Sequence, residues 1–259
     1  MLVKIYLRAF VSWWQKSFAN KMIRTLFIII WIVFATIVLG IIVIISSFFS
    51  QKGDFPHIIA RFWGRSILFV SRTKVTVKGV SNIDPSKSYI FMPNHQSNFD
   101  IPVLLGCLPA QFRWLAKAEL FRIPLFGRAM RGCGYISIDR SNRKSAFKSL
   151  EKAADTIRNG VSVLIFPEGT RSLDGKIRSF KKGGFVLTVD SGVSIIPVIL
   201  HGTWSIMPKS GLRIMPGNVT LEILQPIETT EYTRKTKDDL MEKVRDIICK
   251  SFYEGKKEK

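Results

Sequence analysis

Between Leu26 and Phe49 lie 24 consecutive residues without a charge, LFIIIWIVFATIVLGIIVIISSFF. As a helix rising about 1.5 Å per residue, the run is roughly 36 Å long, enough to cross a hydrocarbon layer of about 30 Å. It is too long for the apolar core of a signal peptide and reads as a retained membrane anchor. Residues 1–25 and residues 50–75 each hold five Lys or Arg, so the positive-inside rule ties. A full span and a re-entrant dip both stay open, with Gly40 and Ser46-Ser47 as candidate bend points. Ahead of the run, Lys4, Arg8, Ser12, Gln15 and Lys16 fall on one side of a helix, and Leu2, Tyr6, Phe10, Trp13, Trp14 and Phe18 fill the rest. A basic face beside aromatics is the pattern of a helix lying in the membrane interface. The first acidic residue is Asp54. The expected organisation is an anchoring segment over 1–54 and a folded domain over 55–259.

From about residue 73 the pattern changes. TKVTVKG (73–79), SYIFMPN (88–94), FRWLAK (112–117), GYISID (134–139), VSVLIFP (161–167), SIIPVIL (194–200) and VTLEILQ (219–225) read as strands. Helical stretches separate them, the clearest over Arg143–Asn159, which Gly160 stops, and over Asp238–Phe252. The charged tail, Glu254–Lys259, is expected to fray. Strands alternating with helices predict an α/β fold, a mostly parallel central sheet flanked by helices on both faces.

Charge narrows the function classes. Thirty-nine Lys and Arg against 19 Asp and Glu give a net charge of +20. Such a field attracts nucleic acid, anionic lipid or acidic small molecules. The basic residues are dispersed and form no nucleic-acid-binding motif, so nucleic acid is not expected as a partner. Three scattered cysteines, Cys107, Cys133 and Cys249, make no disulfide framework. Three histidines without a Cys/His cluster offer no zinc site, and no metal is expected.

In a sheet of this kind, function collects at the carboxyl ends of the strands. Four such ends carry unusual residues. The first is Asn94-His95-Gln96-Ser97-Asn98-Phe99-Asp100. A carboxylate five residues beyond a histidine can fix its tautomer and balance the imidazolium while the other ring nitrogen takes a proton. No GxSxG elbow supplies a serine nucleophile, so the pair would act on a hydroxyl of the substrate. The second is Phe166-Pro167-Glu168-Gly169-Thr170-Arg171-Ser172, where Arg171 offers a planar fork for a phosphate and Glu168 can accept from a hydroxyl or hold an arginine. The third is Asp139-Arg140 and the fourth is Lys117; with Lys181 and Lys182 these would form an anion pocket beside the histidine.

NHQSNFD, GYISIDR, FPEGTRS and IIPVIL (Ile195–Leu200) resemble, in order and spacing, the four motifs of the glycerolipid acyltransferases, and LAKAELFRIPLFG (Leu115–Gly127) is similar as well. The resemblance covers residues 73 to about 225 and points to the 1-acylglycerol-3-phosphate acyltransferases within that family. It implies an acyl transfer from acyl-CoA or acyl-carrier protein to the sn-2 hydroxyl of lysophosphatidic acid. His95 is then the base and Asp100 its orienting carboxylate, with no metal, no cofactor and no covalent acyl-enzyme. Arg140 and Arg171 are the implied phosphate ligands, and Lys117 and Lys181 stand behind them. Ser97, Asn98, Glu168, Gly169 and Thr170 complete the expected substrate pocket. Ser137 and Asn98-Phe99 vary the motifs without removing a proposed catalytic group. Another lysolipid acceptor, such as a lyso-ornithine lipid or another lysophospholipid, is one alternative, and a non-enzymatic basic binding protein tethered to a membrane is the other. Lipid substrates suit an enzyme held at the bacterial inner membrane, and cytosolic donors place its catalytic domain on the cytoplasmic side.

Overall fold

No proline, and no glycine before Gly40, interrupts residues 2–47, and the computed structural model forms them into one helix, α1 (Leu2–Ser47). The structure describes residues 2–50, 52–139 and 143–257, and from residue 21 onward the side chains of all of these but Arg143, Ala146, Lys256 and Lys257. The expected interfacial helix and the apolar run are therefore a single element; the side-chain face of residues 1–20 lies outside the described residues. The helix is unbroken at Gly40, where an added Cβ would meet the Leu125 side chain at 3.6 Å. It stops at Ser47, where the Ser46 and Ser47 hydroxyls bond back to the carbonyls of Val43 and Ile44 (2.9 and 2.7 Å) and satisfy acceptors that the helix end leaves open.

After a left-handed Gly53, α2 (Asp54–Val70) runs back along α1. Trp63 Nε1 donates to Thr36 Oγ1 (3.0 Å) and Trp31 Nε1 to Ser66 Oγ (3.3 Å), pinning the two helices together. Arg24 donates to the carbonyl of Ile214 (3.1 Å), and the Ile214 N–H donates to Thr25 Oγ1 (3.2 Å). Ile28 and Val43 are buried in the same apolar cluster as the sheet. Residues 21–47 thus also pack on the folded domain, through Arg24, Thr25, Ile28 and Val43.

All seven expected strands form: β1 (Thr73–Lys78), β2 (Ile90–Pro93), β3 (Phe112–Lys117), β4 (Ile136–Ile138), β5 (Ser162–Leu164), β6 (Ile195–His201) and β7 (Gly217–Ile223). They make one sheet in the order β1-β7-β6-β2-β5-β3-β4. Every pair is parallel except β6 with β7, so the sheet is mostly parallel with one antiparallel seam. The remaining helices are α3 (Asp100–Cys107), α4 (Phe126–Gly132), α5 (Arg143–Arg158), α6 (Lys182–Ser191), α7 (Thr203–Ile206) and α8 (Lys237–Lys257). The expected frayed tail is instead the last turn of α8, as far as Lys257.

Alternation along the strands divides the core in two. Phe91, Phe112 and Leu164 face one layer with residues of α1, α2, α3 and α4. Ile90, Met92 and Val163 face the other with Ala153, Ala154 and Ile157 of α5, Phe185 and Leu187 of α6, and Leu240 and Val244 of α8. At the amino end of the sheet, the buried Arg113 guanidinium pairs with Asp54 Oδ1 (2.6 Å) and the Lys52 carbonyl (2.7 Å), fastening the α1–α2 turn to β3. Gly53 permits this: its φ is +73°, and a Cβ there would lie 2.7 Å from the Cys133 carbonyl carbon.

Candidate active site

The strands β2 and β5 are neighbours, but the chain leaves them in opposite directions. From β2 it passes through α3 on the first face toward β3; from β5 it passes through α6 on the second face toward β6. The two connections cross on opposite faces of the sheet, and α/β sheets bind ligands in the crevice outside the carboxyl ends of strands so connected. The first and third motifs border it.

Pro93 ends β2, and Asn94 keeps the outgoing chain on β6: its side-chain amide accepts from the Leu200 N–H (2.7 Å) and donates to the Leu200 carbonyl (3.1 Å). His95 follows. Its Nδ1 lies 2.8 Å from Asp100 Oδ2, and as the carboxylate is an acceptor, Nδ1–H donates and Nε2 keeps its lone pair. The same oxygen accepts the backbone N–H groups of Gln96 (2.7 Å) and Ser97 (2.9 Å). Asp100 is fully buried at the first turn of α3, where the helix dipole favours a negative charge. The imidazole retains 14% side-chain exposure and lies flat on Phe166, with ring centroids 3.7 Å apart, and Phe166 in turn stacks on Trp114. The ring is therefore held on one edge by Asp100 and on one face by Phe166, with Nε2 on the edge away from Asp100.

Glu168 plays a different part from the one expected. It is 1% exposed, and its two oxygens accept the backbone N–H groups of His95 (2.7 Å) and Arg178 (2.8 Å). The His95 carbonyl accepts the Ser172 N–H (2.8 Å), so the third motif grips the His95 peptide from both sides. Glu168 thus holds the backbone of the first motif and of Arg178. Burial pushes its carboxyl up to about 7, against the two backbone donors that favour the charged form. Gly169, at φ +71°, turns the chain after Pro167 so that Glu168 points inward and Thr170 and Arg171 follow at the crevice.

Ser97 is likewise corrected. It is buried, donates from Oγ to the Met207 carbonyl (2.7 Å) and accepts the Phe99 N–H (3.0 Å), which commits its hydroxyl proton to the scaffold. Asn98 is exposed at the loop tip. Thr170 Oγ1 accepts from Lys209 Nζ (3.3 Å), and Arg171 is half-buried beside it. Lys181 is exposed ahead of α6, its N–H donating to the Pro167 carbonyl (2.8 Å). Lys117 is exposed at the end of β3, with β5 between it and β2. Two strand spacings are about 10 Å, so Lys117 starts from the far side of the crevice from His95. Arg140 lies outside the described residues. Sequence reasoning missed Asn94, Phe166, Trp114 and Lys209. Asn94 and Phe166 stand inside quoted motifs but carry no charge to mark them, and Lys209 is remote from every motif along the chain.

With this geometry in place, comparison with known proteins is decisive. The acyltransferase family model matches residues 74–201. A 1-acyl-sn-glycerol-3-phosphate acyltransferase of Limnanthes douglasii is 31% identical over 204 residues, 78% of this chain and 70% of that protein. The chain belongs to the 1-acyl-sn-glycerol-3-phosphate acyltransferase family. The chloroplastic relative from Arabidopsis thaliana is 35% identical over 207 residues, 79% of this chain; the chain spans little more than half of it, 56%. The crystal structure of the 1-acyl-sn-glycerophosphate acyltransferase of Thermotoga maritima matches with a TM-score of 0.78 at 29% identity, over 92% of this chain and 97% of that one. The chain thus carries the fold of this family, with these side chains at the carboxyl ends of β2 and β5.

Proposed function

We propose that this chain transfers a fatty acyl group from a thioester donor, acyl-CoA or acyl-carrier protein, to the sn-2 hydroxyl of lysophosphatidic acid, giving phosphatidic acid. The observation that carries the reading is His95: a part-exposed imidazole fixed by Asp100 and Phe166, with Nε2 free, at the switch-point crevice. Nε2 takes the proton of the acceptor hydroxyl as its oxygen attacks the thioester carbonyl carbon. The tetrahedral intermediate collapses, the C–S bond breaks, and the thiolate leaves with the proton returned from the imidazolium. Asp100 holds the ring and balances its transient charge. Arg171 is the phosphate ligand beside the crevice, in line with its place after Gly169-Thr170.

The reading includes attachment to a membrane. Lys21–Ser47 is long and apolar enough to cross one, and only 22% of its most apolar stretch is buried against the rest of the chain. Phe55, Ile58, Phe62 and Phe69 of α2 are exposed alongside it. Both lipid substrate and lipid product then stay in the bilayer, and the basic surface concentrates anionic lipid at about 1 kcal/mol per well-placed cation. The catalytic domain faces the cytoplasm, where both donor classes are made; protection from protease in sealed right-side-out vesicles is the check.

The test is a transferase assay on the full chain in detergent or lipid. It offers lysophosphatidate and a panel of other lysolipids, each with acyl-CoA and with acyl-carrier protein. Phosphatidate formation is expected, with kcat lower by about a thousandfold in His95→Ala, within the range of a lost general base. Undiminished turnover in that variant would refute the mechanism, and activity only on another lysolipid would replace the acceptor.

A further inference from the structure

The segment after α7 is stitched into the first motif. Ser97 Oγ donates to the Met207 carbonyl (2.7 Å), and Ser97 forms a backbone bridge with Pro208. The next residue, Lys209, is thereby delivered to the third motif, where its ammonium donates to Thr170 Oγ1 (3.3 Å) and to the Arg171 carbonyl (3.3 Å). Two neutral oxygens orient the ammonium without neutralising it. Among the described residues, no carboxylate lies within ion-pair distance of Lys209 or of Arg171. Elsewhere on this surface comparable cations do find one: Lys182 pairs with Asp238 (2.7 Å) and Arg234 with Asp190 (2.6 Å).

A half-buried ammonium fixed against the backbone of an arginine, with neither cation compensated, repels its neighbour unless an anion lies between or across them. We infer that Lys209 is a second ligand of the acceptor's phosphate, acting with Arg171, and that the pair selects a phosphate monoester over a phosphodiester head group. A monoester carries close to two negative charges at neutral pH and a diester one, so two cations favour the former. The ammonium keeps a third proton for the phosphate, and the guanidinium adds its planar fork. The inference rests on the acyltransferase reading above and adds to it a residue that no motif marks.

The experiment measures kcat and KM of the full-length protein in lipid for lysophosphatidate, for a lysophosphodiester and for the acyl donor. It also measures inhibition by glycerol 3-phosphate. In Lys209→Ala, KM for lysophosphatidate is expected to rise about tenfold or more while kcat falls less than about threefold. Inhibition by glycerol 3-phosphate weakens in parallel, the donor KM holds, and the preference for monoester over diester shrinks. Lys209→Arg restores most of the loss, which a purely structural role would not predict. Turnover of lysophosphatidate by the wild type with an unchanged acceptor KM in Lys209→Ala overturns this inference alone. A rise in the donor KM instead assigns the lysine to the donor's phosphates and overturns it too. A wild type that does not acylate lysophosphatidate overturns both this inference and the function on which it rests.

Discussion

In the proposed reaction, proton transfer requires His95 Nε2 within hydrogen-bond reach of the acceptor hydroxyl. Asp100 and Phe166 fix the ring, and Glu168 fixes the peptide that carries it. The last of these has a pH signature. Burial raises the Glu168 carboxyl from 4.5 to about 7, so the folded protein holds that proton more tightly than the unfolded chain does. Its contribution to stability is fully present below about 4.5 and is lost as pH rises through about 7, a change of about 3 kcal/mol. Thermal unfolding between pH 5 and 8 is expected to show a flatter profile in Glu168→Gln than in the wild type, since the amide does not ionise. The same variant should lose kcat more than it gains KM, because an amide offers one acceptor where the two N–H groups need two. An identical pH slope in both proteins would show that Glu168 is not the titrating group.

Among the elements, the turn between α1 and α2 is where the helical hairpin is fastened to the sheet. Arg113 is 1% exposed, and besides Asp54 and Lys52 it donates to the Phe112 carbonyl (3.1 Å) and to Gln111 Oε1 (3.3 Å). Asp54 is half-exposed, so the pair is buried only on the arginine's side. Arg113→Met fills the space but unties the turn, and its unfolding free energy is expected to fall by about 3 kcal/mol, measured by denaturant titration in detergent. Gly53→Ala attacks the same junction through the backbone, by a left-handed φ and a contact with Cys133 that no Cβ tolerates, and should be at least as damaging. Wild-type stability in both variants would mean that the hairpin is held by its helix–helix packing alone.

For the whole molecule, α1 serves two environments. One side faces α2, α4 and the Ile214 loop; the other presents Leu26, Phe27, Ile30, Phe34, Ile37, Ile41 and Ile45 outward. Removing residues 1–50 to obtain a soluble catalytic domain should therefore fail. It strips Ile28 and Val43 from the core and bares the face of α2 that carries Trp63. The truncated chain is expected to aggregate or to lose most activity on size-exclusion chromatography followed by assay. A monodisperse, fully active truncation would show that α1 is a tether and nothing more. The same arrangement ties the candidate site to α1: Ser97 holds Met207, and the loop that follows meets α1 through Ile214.

The sequence by itself determined the seven strands, the helices over 143–159 and 238–252, the apolar helix and the His95–Asp100 pair, because each rests on periodicity or on residues a few positions apart. Period-two runs become strands, and a carboxylate five residues from a histidine can reach it by a local turn. Only the tertiary structure decided what the remaining polar groups do. Glu168 and Ser97 look alike, in sequence, to residues that meet a substrate; both turned inward because backbone N–H and C=O groups of distant segments needed partners away from water. Lys209 reached Thr170 from 39 residues along the chain, through strand pairing that no local pattern encodes. That the apolar helix sets Ile28 and Val43 against the sheet was hidden for the same reason: which side of an all-apolar helix is buried depends on the layer it meets, and an all-apolar run carries no record of that layer.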